Sequence, residues 1–195
     1  MKFVTYHYNG KTSIGVLARD EKSVFPMEEV LEDRVFEDMI SFIEAYEDGW
    51  SELIQDYLSQ GKKGLALSDI TVVAPIIRPP HDIICLGVNY QDHLEESQKA
   101  IKSDTLKKVE APVYFSKRTC GILGPETEID GHLDMDEYLD YEVELAVIIG
   151  KRGKDISKED AVKYIFGYSI FNDFSARRLQ IYHTQWYKGK SLDDF

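Results

Sequence analysis

The sequence predicts an α+β fold, mainly β, and three observations carry that expectation. Short runs rich in Val, Ile, Tyr and Phe recur between turn residues, and only two long stretches keep a helical period. Hydrophobic residues make up 43% of the 195 residues, with 12 Tyr and 9 Phe, enough to fill a packed core. The first element is a hairpin, because KFVTYHY (2–8) and SIGVLA (13–18) flank an NGK turn. Two helices are expected next. RVFEDMISFIEAY (34–46) places Val35, Phe36, Met39, Ile40 and Ile43 at helical spacing, and SELIQDYLS (51–59) comes after it before Gly61 and Gly64 break the pattern. These elements predict a small α+β N-terminal domain over residues 1–70.

A second domain is expected over residues 71–195. TVVAPIIRPPHD holds three of the six prolines, so it reads as an extended connector. IICLG (83–87) reads as a short buried strand running into the polar NYQDHLEESQKAIKSD, and PVYFSK (112–117) as another strand. ETEIDG (126–131) alternates before a glycine turn. LDYEVELAVIIG (139–150) is a strand whose aliphatic end suggests burial on both faces. SKEDAVKYIFG carries Ser157 and Asp160 as an N-terminal cap on a short helix, and YSIFND (168–173) returns as a strand ending on Asp173.

Charge and cysteine content remove several function classes. With 35 acidic against 23 basic residues the formal charge is -12, which repels nucleic acid and anionic membranes. The N-terminus, MKFVTYHYNGK, has no apolar run long enough for a signal peptide, and no window approaches the roughly 18–20 apolar residues of a membrane span. A soluble cytoplasmic protein is expected. Cys85 and Cys120 form neither a disulfide framework nor a zinc spacing, and both are read as reduced, partly buried thiols. No GxGxxG, Walker loop, GxSxG elbow or HExxH occurs, so nucleotide cofactors are not indicated.

The chemistry is expected in the carboxylates. Side chains alternate along a strand, so Asp140, Glu142 and Glu144 share one face. Desolvating them together is costly unless a cation or a proton relieves the repulsion, and a hard divalent metal with oxygen ligands is one relief. A solvated edge strand is the other reading of the same pattern. Asp173 is the candidate third ligand, although Asp before Ser-Ala-Arg also suits a cap on a helical turn. His93 and Glu96 stand at i, i+3, and a carboxylate beside an imidazole raises its basicity, as a general base needs; an exposed histidine on a polar helix fits equally. Arg177, Gln180 and Lys190 are donors able to hold a substrate carboxylate and oxo group, or ordinary surface residues.

In this order, APIIRPPHDIICLGVNYQDHLEE, PVYFSK, DYEVELAVIIG, GYSIFNDFSARRLQ and KGKSLDDF resemble the fumarylacetoacetate hydrolase family over about residues 74–195. The resemblance implies a mixed β-sandwich roll as the catalytic domain, usually a homodimer, with residues 1–70 as the variable N-terminal domain. It also implies Mg²⁺ or Mn²⁺, with Ca²⁺ able to stand in for them in crystals. Carried over by motif, Glu142, Glu144 and Asp173 are the metal ligands, and Asp140 matches a leading aspartate that is not a direct ligand. His93 and Glu96 form a catalytic dyad on a lid, Lys190 joins them, and Tyr90, Arg177 and Gln180 bind substrate. Arg178 stands where the family usually has Asp, which adds positive charge near the site. The family pattern normally continues well past residue 195, so the C-terminal part of the fold is expected to be missing here.

The implied substrate is a small 2-oxo or β-dicarbonyl acid. Hydrolysis of an acylpyruvate, decarboxylation of oxaloacetate and keto–enol isomerisation all proceed through one stabilised enolate. A lyase or hydratase acting on a 2-oxo sugar acid, and a truncated non-catalytic assembly module, are the alternative readings.

Overall fold

A computed structural model describes residues 1–32, 34–87, 89 and 111–195. The positions Tyr90, His93 and Glu96 lie outside the described residues. The chain is mixed α+β and divides into two compact units, each built from separated stretches.

The first unit comprises Met1–Pro79, Gly121–Ile129 and Glu144–Phe171. At its centre lies a five-stranded sheet formed by β1 Phe3–Tyr8, β2 Lys11–Leu17, β3 Ser23–Pro26, β4 Leu65–Ala66 and β5 Thr71–Val73. The strands stand in the order β4-β3-β2-β1-β5, and neighbours run antiparallel. Asn9 and Gly10 close the first hairpin with φ of 48° and 75°, the paired positive values of a type I′ turn, so the NGK reading holds. β5 lies at the sheet edge and leads into the proline-rich connector, where a residue without an N–H costs no ladder bond.

Three helices come after β3: α1 Met27–Val30, α2 Met39–Ala45 and α3 Trp50–Ser59. α2 begins later than its apolar period suggests. Asp38 accepts from the Ser41 N–H at 2.8 Å while the Ser41 hydroxyl takes the Asp38 N–H at 3.0 Å, a capping box that starts the helix there. Phe36 still reaches the core from outside the helix, edge-on to Phe42 at 5.2 Å. Phe42 and Ile54 are fully buried, and Val16, Phe25, Met27, Met39 and Trp50 pack around them.

The strands β9 (Val143–Ile149) and β10 (Ile165–Asn172) pair with each other, and Ile148 and Phe166 pack on this core. Their other face is open: Leu145, Val147 and Ile149 are exposed, as are Tyr168 and Ile170. The aliphatic run expected to be buried on both faces is therefore partly buried on one and exposed on the other. ETEIDG forms no strand; Glu126, at its start, takes a left-handed φ of 60°. Ser157 and Asp160 do bond to each other, at 3.0 and 3.2 Å, and the short helix after them, Ala161–Tyr164, is of the 3₁₀ type.

The second unit comprises Pro80–Cys120, Asp130–Val143 and Asn172–Phe195. It holds the hairpin of β6 (Ile83–Gly87) with β7 (Val113–Lys117), the short pair of β8 (Leu139–Asp140) with β11 (Ser175–Ala176), and the helices α4 (Arg177–Tyr182) and α5 (Tyr187–Lys190). The apolar run of β6 suggests a buried strand, yet Ile84 and Leu86 are exposed: the run covers both faces while only one is packed. Cys85 is half-buried, whereas Cys120 is exposed rather than partly buried, because it stands past the end of β7.

A candidate active site of buried carboxylates and cations

The backbone explains why distant acids meet. Ser175 pairs with Asp140 and Ala176 with Leu139 across the β8–β11 ladder, and the Asp173 N–H donates to the Glu142 carbonyl at 2.8 Å. The Arg177 N–H donates to the Tyr138 carbonyl at 3.0 Å, continuing the register at the other end. Residues 138–142 and 173–177 thus run side by side. Glu142, Asp173 and Arg177 are delivered to one place by strand pairing rather than by proximity in sequence.

Lysines close the cluster. The Lys190 ammonium, 2% exposed, donates to Glu142 Oε2 at 2.7 Å and to Asp173 Oδ2 at 2.8 Å. Lys117, fully buried at the end of β7, donates to the other Asp173 oxygen at 2.6 Å and to the Phe174 carbonyl at 2.8 Å. Arg177 binds Asp140 Oδ2 through Nε at 2.8 Å, pairs with Glu142, and donates to Gln180 Oε1 at 2.9 Å. The Ser175 hydroxyl faces Glu142 at 3.5 Å. Three carboxylates (Asp140, Glu142, Asp173) meet three cations (Lys117, Arg177, Lys190), and no buried side-chain N or O among the described residues lacks a partner.

The electrostatics reflect burial set against pairing. Burial alone would raise the Glu142 pKa, but the hydrogen bond and charge of Lys190, with Arg177 beside it, hold it below the usual carboxylate value. Burial lowers the Lys117 pKa, and the Asp173 carboxylate offsets only part of that. For Arg177 the order reverses: burial works against the charge, yet Glu142 and Asp140 raise the pKa.

Of the residues singled out in the sequence, Glu142, Asp173, Arg177, Gln180 and Lys190 come together. Asp173 does not cap α4, since β11 intervenes; its buried carboxylate faces the two lysines. Asp140 pairs with Arg177. Glu144 is half-buried on β9 and belongs to the first unit. Arg178 turns to Glu137 at 2.7 Å and stacks on Tyr138 at 4.3 Å. Two contributors were not singled out in the sequence. Lys117 shares the strand face of Val113 and Phe115 in VYFSK, and that alternation was the available signal. Asp136, 4% exposed, accepts from the Leu179 N–H at 2.9 Å, capping α4 from a distant loop where Ala176 offers no side-chain bond.

Among the described residues, no three His, Cys, Asp or Glu side chains stand grouped to hold a metal ion. Glu142 and Asp173 nonetheless supply carboxylate oxygens, the donor type a hard divalent cation takes. Their chemistry fits such an ion, although in this arrangement ammonium and guanidinium groups occupy the oxygens.

Comparison with known proteins shows the family. Residues 82–195 match the family described as fumarylacetoacetate hydrolase, C-terminal. The chain is 37% identical to oxaloacetate tautomerase YisK of Bacillus subtilis, covering 99% of this chain and 66% of that protein. It is 36% identical to the fumarylacetoacetate hydrolase domain-containing protein 2 homolog of Dictyostelium discoideum, covering 100% of this chain and 62% of that protein. Among solved structures, the fumarylacetoacetate hydrolase of Exiguobacterium antarcticum matches with a TM-score of 0.69 and 32% identity, over 100% of this chain and 63% of that one. The chain thus spans under two thirds of the length of these relatives. With a family match over more than half its residues, the chain belongs to the fumarylacetoacetate hydrolase family.

Proposed function

We propose that the protein is an enzyme that interconverts the keto and enol forms of a short 2-oxo acid, with oxaloacetate the first candidate, and that it depends on a divalent cation. The observation that carries the reading is the Lys190 ammonium, 2% exposed, lying between Glu142 and Asp173 with Arg177 on the same glutamate. Charged donors held out of water stabilise an oxyanion more strongly than they could in solvent. The name of the Bacillus subtilis relative supports tautomerisation over the other enolate reactions.

Glu142 and Asp173, with Glu144 carried over from the family motif, would hold Mg²⁺ or Mn²⁺. Such a cation, when bound, polarises the 2-oxo oxygen and stabilises the enolate. The side chains do the rest. Arg177 and Gln180 orient the substrate carboxylate, with Tyr90 added by motif, and the Lys190 N–H groups face the oxygen on which charge develops. His93, with Glu96 fixing its tautomer, takes the proton from C3 and returns one in the reverse direction. One proton leaves carbon and one arrives on oxygen, so no water is consumed. A cytoplasmic homodimer is part of the same proposal.

Hydrolysis is the second reading, favoured by the 32% identical fumarylacetoacetate hydrolase structure. A panel of oxaloacetate enol, an acylpyruvate and a 2-oxo sugar acid, each with Mg²⁺, separates the readings. Fast enol decay with the other two untouched supports tautomerisation; cleavage of the acylpyruvate with slow enol decay overturns it.

A further inference from the structure

The Lys190 ammonium bridges Glu142 Oε2 at 2.7 Å and Asp173 Oδ2 at 2.8 Å. Glu142 and Asp173 are also two of the three carboxylates proposed above to hold the cation. The surrounding charge is already balanced: Lys117 holds the second Asp173 oxygen at 2.6 Å, and Arg177 pairs with the second Glu142 oxygen. Among the described residues of the cluster, three positive side chains thus meet the three carboxylates Asp140, Glu142 and Asp173, so a cation that takes Glu142 and Asp173 meets groups already paired.

We infer that Lys190 is an internal counter-ion that competes with the divalent cation for Glu142 and Asp173, so that cation binding displaces its ammonium and frees it for the substrate. This inference rests on the cation-dependent reading above. Lys190 is the group to move. Lys117 is anchored a second time on the Phe174 carbonyl at 2.8 Å, and Arg177 on Asp140 at 2.8 Å and Gln180 at 2.9 Å. Lys190 Nζ, by contrast, is held by the same two carboxylates that the cation would take. The ring of Phe115, 5.2 Å away, gives the displaced ammonium a face to rest on. The cost of leaving the carboxylates would show as weakened cation affinity, and the gain as an ammonium delivered only once the cation is in place.

The test uses Mn²⁺ alone as the probe, with binding followed by calorimetry on the 195-residue chain and on Lys190→Met. Removing a competing charge within about 3 Å predicts Mn²⁺ binding at least about tenfold tighter in the variant. Equal or weaker binding by a folded variant overturns the inference while leaving the cation reading standing. A second measurement needs no variant. Acetic anhydride labelling read by mass spectrometry should find Lys190 protected in the cation-free protein and labelled several-fold faster at saturating Mn²⁺; continued protection of Lys190 in Mn²⁺-saturated protein overturns the inference. No Mn²⁺ binding by either chain overturns the cation reading itself, and this inference with it.

Discussion

Lys117 and Glu142 show how much single side chains carry. Lys117 is fully buried and has a lowered pKa because burial outweighs the attraction of Asp173. Lys117→Met removes one partner of a buried pair, which predicts a loss of about 3 kcal/mol in urea unfolding; a loss under about 1 kcal/mol would mean that Lys190 alone satisfies Asp173. For Glu142 the folded pKa lies below the ordinary 4.5, so its contribution is complete above that pH and disappears as pH falls through the folded value. The stability of the wild type should therefore drop more steeply than that of Glu142→Gln as pH is lowered below about 4.5. Parallel curves would contradict the pairing. In the sequence, Glu142 and Asp173 were legible from alternation and motif, whereas Lys117 looked like any lysine ending a strand. Burial is a property of the packed unit, and one charged residue after an apolar run does not announce it.

At the scale of elements, local chemistry was legible where one signal dominated. Asn9-Gly10 set the first hairpin because few other pairs take two positive φ values cheaply. The start of α2 was misplaced because the apolar period runs on through Asp38, and the capping box overrode it. The short helix α5 illustrates a packing constraint that local sequence does not reveal. A Cβ at Gly189 would stand 2.5 Å from the Gln180 N and 2.8 Å from the Ala176 carbonyl oxygen. Gly189→Ala must therefore push α5 away from α4, carrying Lys190 with it. The expected result is a folded protein destabilised by about 1–3 kcal/mol, with Lys190 more readily acetylated. Unchanged labelling would show that α5 absorbs the methyl group without moving its lysine.

At the scale of the whole molecule, long-range pairing was the least legible feature. Nothing local says that residues 138–142 run beside 173–177; the need for a further carboxylate ligand and the family motif pattern linked Asp173 to Glu142, but not the register of the two segments. The two compact units are each assembled from separated stretches, which a linear reading of composition does not reveal. Global stability should also respond to alkali. Tyr6, 1% exposed, has its pKa pushed up to about 12 by burial and by the charges of Glu28 and Glu29. Its folded value exceeds the unfolded 10.0, so the contribution is full below pH 10 and is lost as pH rises towards about 12. That loss amounts to about 2–3 kcal/mol for two pKa units, and Tyr6→Phe should flatten the stability curve over this range. An unchanged slope would mean that Tyr6 ionises as freely in the folded chain as in the unfolded one.

The proposed cation-dependent enolate chemistry of the buried cluster of Glu142, Asp173 and Lys190 can be followed on the substrate itself. The most direct measurement follows the decay of oxaloacetate enol by ultraviolet absorbance, with Mg²⁺ titrated into the wild type and into Asp173→Asn. Mg²⁺-dependent acceleration is expected of the wild type, with a loss of at least about a hundredfold in the variant, as when a group central to transition-state charge is neutralised. Acceleration that is independent of Mg²⁺, or fully retained in a folded Asp173→Asn, would contradict it.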